Sequence, residues 1–92
     1  MTTNADYNDK GRVTLDLSTL YTATGQAKLD RLPEYIKAAL AAVPPGADVT
    51  LTGHAPVWLY LKIAHALHGT ARILSYDSPP TGPVEIFNHN PN

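Results

Sequence analysis

Apolar and polar positions along this chain switch repeatedly between two periods, and the switches mark out its elements. Residues 12–17 (RVTLDL) alternate at period two and predict a first strand. From Leu29 the apolar positions step by three or four through Leu32, Ile36, Leu40 and Val43. The alanines at 38, 39, 41 and 42 add helix propensity. Pro33 belongs in the first turn of that helix, and Pro44-Pro45-Gly46 ends it. Residues 48–52 (DVTLT) read as the second strand. The helix that follows, from near Pro56, is apolar on almost every face, with Tyr60 and Lys62 the main exceptions. Such a helix is covered on two sides, one by a sheet and the other by a second subunit. Gly69 stops it as a C-cap glycine would. Residues 72–76 are the third strand, 77–83 a proline-rich rigid turn and 84–88 the fourth strand.

The order βαβαββ predicts an α/β fold: a small mixed sheet with two helices, parallel pairing through right-handed crossovers, and one antiparallel addition at the end. Residues 1–11 are polar and rich in Asn, Asp and Thr, and read as a flexible lead-in to a single domain over 12–92.

Composition narrows the function classes. At 92 residues the chain is near the lower end of what buries a self-sufficient core, which favours a partner subunit. The absence of cysteine removes thiolate chemistry, disulfides and the common structural zinc sites, so any metal is held by His, Asp, Glu, carbonyls or water. No apolar run approaches the roughly 20 residues that span a bilayer, and no secretory signal is visible. The expectation is a cytoplasmic protein with no membrane partner. Net charge is −1 and the seven Lys and Arg are scattered, which argues against duplex nucleic acid but leaves room for a small anion.

The chemistry concentrates between Thr52 and Asp77, a stretch with three of the four histidines. In an open α/β sheet, ligands sit beyond the carboxyl ends of the parallel strands. Thr52, Gly53, His54 and Ala55 map there, as a loop whose amides can cradle a phosphate or carboxylate or simply as a tight strand-to-helix turn. Asp77 maps there too, as a site carboxylate or as a turn residue before Pro79. His65 and His68 share one side of the last helical turn, where metal binding or proton transfer competes with a favourable charge against the helix dipole. His68 is expected to be at least partly exposed and His65 buried. With about 12 residues at 1.5 Å each, His68 lies roughly 18 Å from the helix start. The histidine pair and the Gly53/Asp77 cluster therefore form one site only if two subunits share it.

These residues carry a resemblance. TGHAPVWLY at 52–60, Ala64-His65-Ala66-Leu67-His68 and Tyr76-Asp77 resemble the Csx-three family of CRISPR-associated ring nucleases. That family has a Ser-Gly-Arg-Gly-Pro-Ile-Trp-Leu run, an Ala-His-x-x-His helix and a Tyr-Asp-Pro-Arg turn. The likeness covers about residues 49–89, and the first half agrees only in element order and length. It implies a CARF-like minimal Rossmann-type domain that dimerises and degrades cyclic tetra-adenylate, the second messenger of type III CRISPR defence, with manganese. It further implies that dimers stack head to tail, one binding the nucleotide and the next supplying catalytic groups. Carried over, His68 and Asp77 take catalytic positions, His65 a supporting or metal-linked one, and His89 a metal-ligand position. Thr52, Gly53, His54 and Ala55 line the ligand-binding loop. This chain departs from the pattern at His54 and Ala55, where the family has Arg and Gly, and after Asp77, where Ser78-Pro79-Pro80 holds no basic residue in place of the family's Arg. Those departures keep two other readings open: a cyclic-nucleotide sensor or sponge without turnover, and an unrelated interaction domain whose apolar helix is a dimer interface.

Overall fold

Four strands form, β1 (Arg12–Asp16), β2 (Asp48–Thr52), β3 (Ile73–Ser78) and β4 (Gly82–Asn88), and in the first two Val13 and Leu15, then Val49 and Leu51, alternate with polar residues. Helices α1 (Leu32–Ala42) and α2 (Val57–Leu67) connect the first three, in a computed structural model that describes residues 11–89. Of the expected lead-in only Gly11 falls among the described residues, and its carbonyl accepts from the Asp48 N–H at 2.6 Å.

The sheet order is β1-β2-β3-β4, with β1, β2 and β3 parallel and β4 antiparallel to β3. This is the expected small α/β fold. Both crossovers step across the sheet in the same direction, so right-handed connections bring α1 and α2 onto one face. There Tyr35, Ala39, Leu59, Ile63 and Leu67 of the helices close over Leu15, Val49, Leu51 and Leu74 of the strands, all of them buried. The other face carries Thr14, Thr50, Ser75 and Glu85 in one register row, and none of the four is buried. A register shift between Leu74 and Ser75 gives β4 an extra residue and brings Phe87 opposite Leu74.

Several local expectations are corrected. The first strand ends at Asp16, and Leu17–Tyr21 forms a 3-10 turn capped by the Asp16 carboxylate. Leu29–Arg31 is likewise a 3-10 turn, so α1 starts at Leu32 and Pro33 does lie in its first turn. The buried stripe of α1 runs through Tyr35, Ala39 and Val43; Leu29 and Leu40 are exposed. Tyr35 can be buried because its hydroxyl accepts from the Lys28 N–H at 2.9 Å. Gly69 has no positive φ, and α2 ends instead in tight turns, with the Thr70 and Ala71 N–H groups donating to the Leu67 carbonyl at 3.0 and 2.8 Å. The connection between β3 and β4 is only residues 79–81, because Asp77 and Ser78 continue β3 opposite Pro83 and Gly82. Within one copy α2 packs on the sheet and beside α1, and Val57 and Leu61 on its outer side are 73% and 65% exposed.

Candidate functional site

The loop from Thr52 to Ala55 leaves the carboxyl end of β2 and feeds α2, whose N-cap is Pro56. Gly53 makes the turn possible. Its φ is +102°, and a Cβ there would stand 2.0 Å from Oδ1 of Asp16. That carboxylate is fixed by the Ser18 N–H at 2.9 Å and the Ser18 hydroxyl at 2.7 Å, so the neighbouring turn and the loop interlock.

Two tyrosines hold the loop from outside. The Tyr60 hydroxyl donates to the Gly53 carbonyl and the Tyr21 hydroxyl donates to the His54 carbonyl. Peptide groups are planar, so anchoring two successive carbonyls also fixes the tilt of the His54 and Ala55 N–H groups. Burial, followed by the proximity of Tyr76, Asp16, Tyr21 and Asp77, pushes the Tyr60 phenol above its ordinary range, which keeps it a donor. The Tyr76 ring meets Tyr60 edge to face, with centroids 5.0 Å apart.

The loop separates two cavities. One, of about 370 Å³, is lined by Thr52, Gly53, His54, Ala55, Tyr60, Tyr76, Asp77 and Pro79. The other, of about 460 Å³, is lined by Tyr21, Gly25, Gln26, Ala27, His54, Ala55, Pro56 and Trp58. Neither lining includes Lys or Arg. A smaller apolar groove of about 240 Å³ runs between α2 and β4, along Val57, Leu61, Ala64 and Ile86.

The second cluster is at the other end of α2. The His68 and His89 rings meet edge to face at 4.6 Å, with Phe87 stacked on His89 at 4.7 Å and against His68 at 5.0 Å. His89 is kept there by its N–H, which donates to the Arg72 carbonyl at 2.7 Å, at the start of β3. Asp77 is at the opposite end of that strand. The fold therefore brings Thr52, Gly53, His54, Ala55 and Asp77 together, and separately brings His68 to His89.

His65 is exposed rather than buried, and it makes no ring contact among the described residues. Within one copy, no group of three or more His, Asp or Glu converges among the described residues. Pattern reading gave no site role to Tyr21 or Phe87, and Trp58 entered only within the resembling run at 52–60. Tyr60 was visible as a polar exception one turn into an apolar helix, but the partner of its hydroxyl was not.

A family description for the CRISPR-associated protein (Cas_csx3) matches residues 25–92. The match reaches back through α1, well before the run at 49–89. No curated protein and no solved structure matches the chain.

Proposed function

The chain belongs to the CRISPR-associated Csx-three family, and on that footing we propose that it is a homodimeric ring nuclease. It binds a cyclic oligoadenylate, cyclic tetra-adenylate in the first instance, and cleaves a phosphodiester bond with manganese as cofactor. The outcome is the end of type III CRISPR second-messenger signalling.

The observation that carries this reading is the division of chemistry between the two ends of α2. Asp77 and His54 line a cavity at its start, and His68 and His89 pair at its end. With 1.5 Å per residue, the ends are roughly 18 Å apart, too far for one phosphodiester to meet both within one copy. Stacking the foot of one copy on the loop end of another closes that distance.

Charge supports the same arrangement. Asp77 carries a carboxylate into a cavity lined by no Lys or Arg, so a phosphate seated there is repelled until positive charge comes between. A divalent cation held between the stacked copies would supply it. His89 offers a nitrogen donor and Asp77 of the facing copy an oxygen donor, which with water make a set suited to manganese, and His68 keeps its lone pair for the proton. Bound there, the cation would neutralise charge on the phosphate. His68 takes the proton of the attacking ribose hydroxyl or water and returns it to the leaving oxygen. Thr52, Gly53, His54 and Ala55 seat the phosphates, and His65 supports His68 from the preceding turn.

The exposed apolar side chains of Val57, Leu61, Val84 and Ile86 form the dimer face. Burying them in a second copy gives α2 its outer cover.

One observation favours a second reading. Where the family pattern has arginines, both cavities lack guanidinium, which removes bidentate phosphate contacts and stabilisation of transition-state charge. A protein that binds the messenger without cutting it, a sensor or sponge, fits that lack. Incubation with cyclic tetra-adenylate, with and without manganese, separates the readings. Linear di-adenylate that disappears in His68→Ala supports the nuclease. Thermal stabilisation without product supports the sponge. No shift with any cyclic oligoadenylate excludes both.

A further inference from the structure

The cavity on the Tyr21 side of the loop has no role in the reading above. It shares His54 and Ala55 with the Asp77 cavity, so the two are neighbours across one stretch of backbone. Its remaining lining is of a different kind: the aromatic residues Tyr21 and Trp58, the amide residue Gln26, and small residues at 25, 27 and 56. At about 460 Å³ it is within the roughly 300 to 1,000 Å³ of small-molecule sites.

We infer that this cavity is a nucleobase subsite, in which Tyr21 and Trp58 wall an adenine-type base and Gln26 reads its edge, while the sugar-phosphate lies over His54 towards Asp77. The inference rests on the nucleotide reading and adds where the base sits and what selects it.

Three features suit the cavity to that task. Aromatic walls favour a flat π-system of any sequence, since every base has a face to stack. The Tyr21 hydroxyl is already engaged by the His54 carbonyl, so its ring is held as a wall and its orientation is tied to the phosphate-side loop. Gln26 is exposed at the rim on a braced turn: the Gly25 N–H donates to the Tyr21 carbonyl at 2.9 Å, and the Thr24 hydroxyl donates to the Gln26 carbonyl at 2.8 Å. A primary amide presents a donor and an acceptor side by side, the pattern that matches the adjacent N6 amino group and N7 of adenine. Uracil also sets a donor beside an acceptor, N3–H beside O4, so the amide alone does not choose between the two; the larger face of a purine between Tyr21 and Trp58 favours adenine.

Trp58 is the chain's one tryptophan, so its emission reports this cavity directly. The experiment titrates the full chain with cyclic tetra-adenylate and with cyclic tetra-uridylate, following Trp58 fluorescence and, in parallel, heat of binding. Saturable change of Trp58 emission by the adenylate at the calorimetric affinity is expected. Gln26→Ala is expected to weaken adenylate binding about ten-fold, and the parent is expected to bind the uridylate more weakly than the adenylate. Gln26 is exposed, so the variant keeps the fold. Calorimetric binding of the adenylate with Trp58 emission unmoved, or with Gln26→Ala binding as tightly, overturns the base subsite and leaves the nucleotide reading standing. Absence of heat with every cyclic oligoadenylate overturns the nucleotide reading, and the subsite with it.

Discussion

The rings of His68 and His89 meet at 86°, their centroids 4.6 Å apart, at the foot of a sheet whose other end carries Asp77. One imidazole comes from the last turn of α2 and the other from just past β4, so neither element alone could build the pair. Phe87, stacked on His89, holds it in place. This foot is remote from both cavities, and that separation gives the first prediction.

His68→Ala is expected to lower single-turnover cleavage by about a hundred-fold or more, the usual scale of lost proton transfer, and His89→Ala to lower it through weakened hold on the cation. Affinity for cyclic tetra-adenylate, measured on isolated dimers by Trp58 fluorescence, is expected to stay within about two-fold, since the pair lines neither cavity. Equal loss of binding and turnover would place the ligand at the foot instead.

Gly53→Ala is expected to be among the costliest small substitutions. Its Cβ would meet the Asp16 carboxylate at 2.0 Å and the Leu17 nitrogen at 3.1 Å, with φ held at +102°. Strain of this kind costs about 1 to 3 kcal/mol, read as a lowered urea midpoint. Adding Asp16→Ala is expected to relieve the clash with the carboxylate and leave the contact with the Leu17 nitrogen and the φ part, a non-additive pair.

Alkaline pH tests the Tyr60 anchor. Because burial and its neighbours raise the Tyr60 phenol above the ordinary 10.0, the folded protein keeps this proton longer than the unfolded chain. Its contribution is therefore fully present below pH 10 and is lost as pH rises from 10 through the folded value. Tyr60→Phe is expected to lower stability by about 1 kcal/mol at neutral pH, from the lost bond to the Gly53 carbonyl, and to flatten the alkaline fall. Denaturant melts across pH 8 to 11.5 on both proteins check this; parallel curves would contradict it.

Leu61→Glu tests the dimer face. Leu61 is 65% exposed in one copy, so a carboxylate there costs the isolated fold little, yet it would be buried unpaired in a dimer that covers α2. Sedimentation is expected to show the parent as a dimer and the variant as a folded monomer. An unchanged mass would assign the groove between α2 and β4 to something other than a second copy.

How much of this was legible in the chain depended on whether a signal was local. The β2 strand appeared with its own bounds, because alternation and flanking Pro-Gly are read within a few residues. The helix α2 appeared as well, and its length alone separated Asp77 from His68. The α1 stripe was misread because Leu29 precedes the helix in a 3-10 turn and is out of phase with it, whereas Tyr35, polar by type, hides its ring by accepting from Lys28. Asp77 looked like a turn residue before Pro79; pairing with Pro83 of β4 extends the strand through it. The pairing of His68 with His89 rather than His65 depends on where β4 returns, and no spacing within α2 carries that. Tyr21 reaches the His54 carbonyl across 33 positions, a contact only the fold creates.

The central claim is a catalytic site shared between copies, and complementation in mixtures tests it most directly. His68→Ala lacks the foot and keeps Asp77; Asp77→Ala lacks the carboxylate and keeps the foot. Each alone is expected to leave cyclic tetra-adenylate uncut in the presence of manganese. Mixed in equal amounts, they form contacts in which an intact foot meets an intact Asp77, and a substantial fraction of parental cleavage is expected to return, rising with protein concentration. A mixture as inactive as its components, beside an active parent, would contradict the shared site.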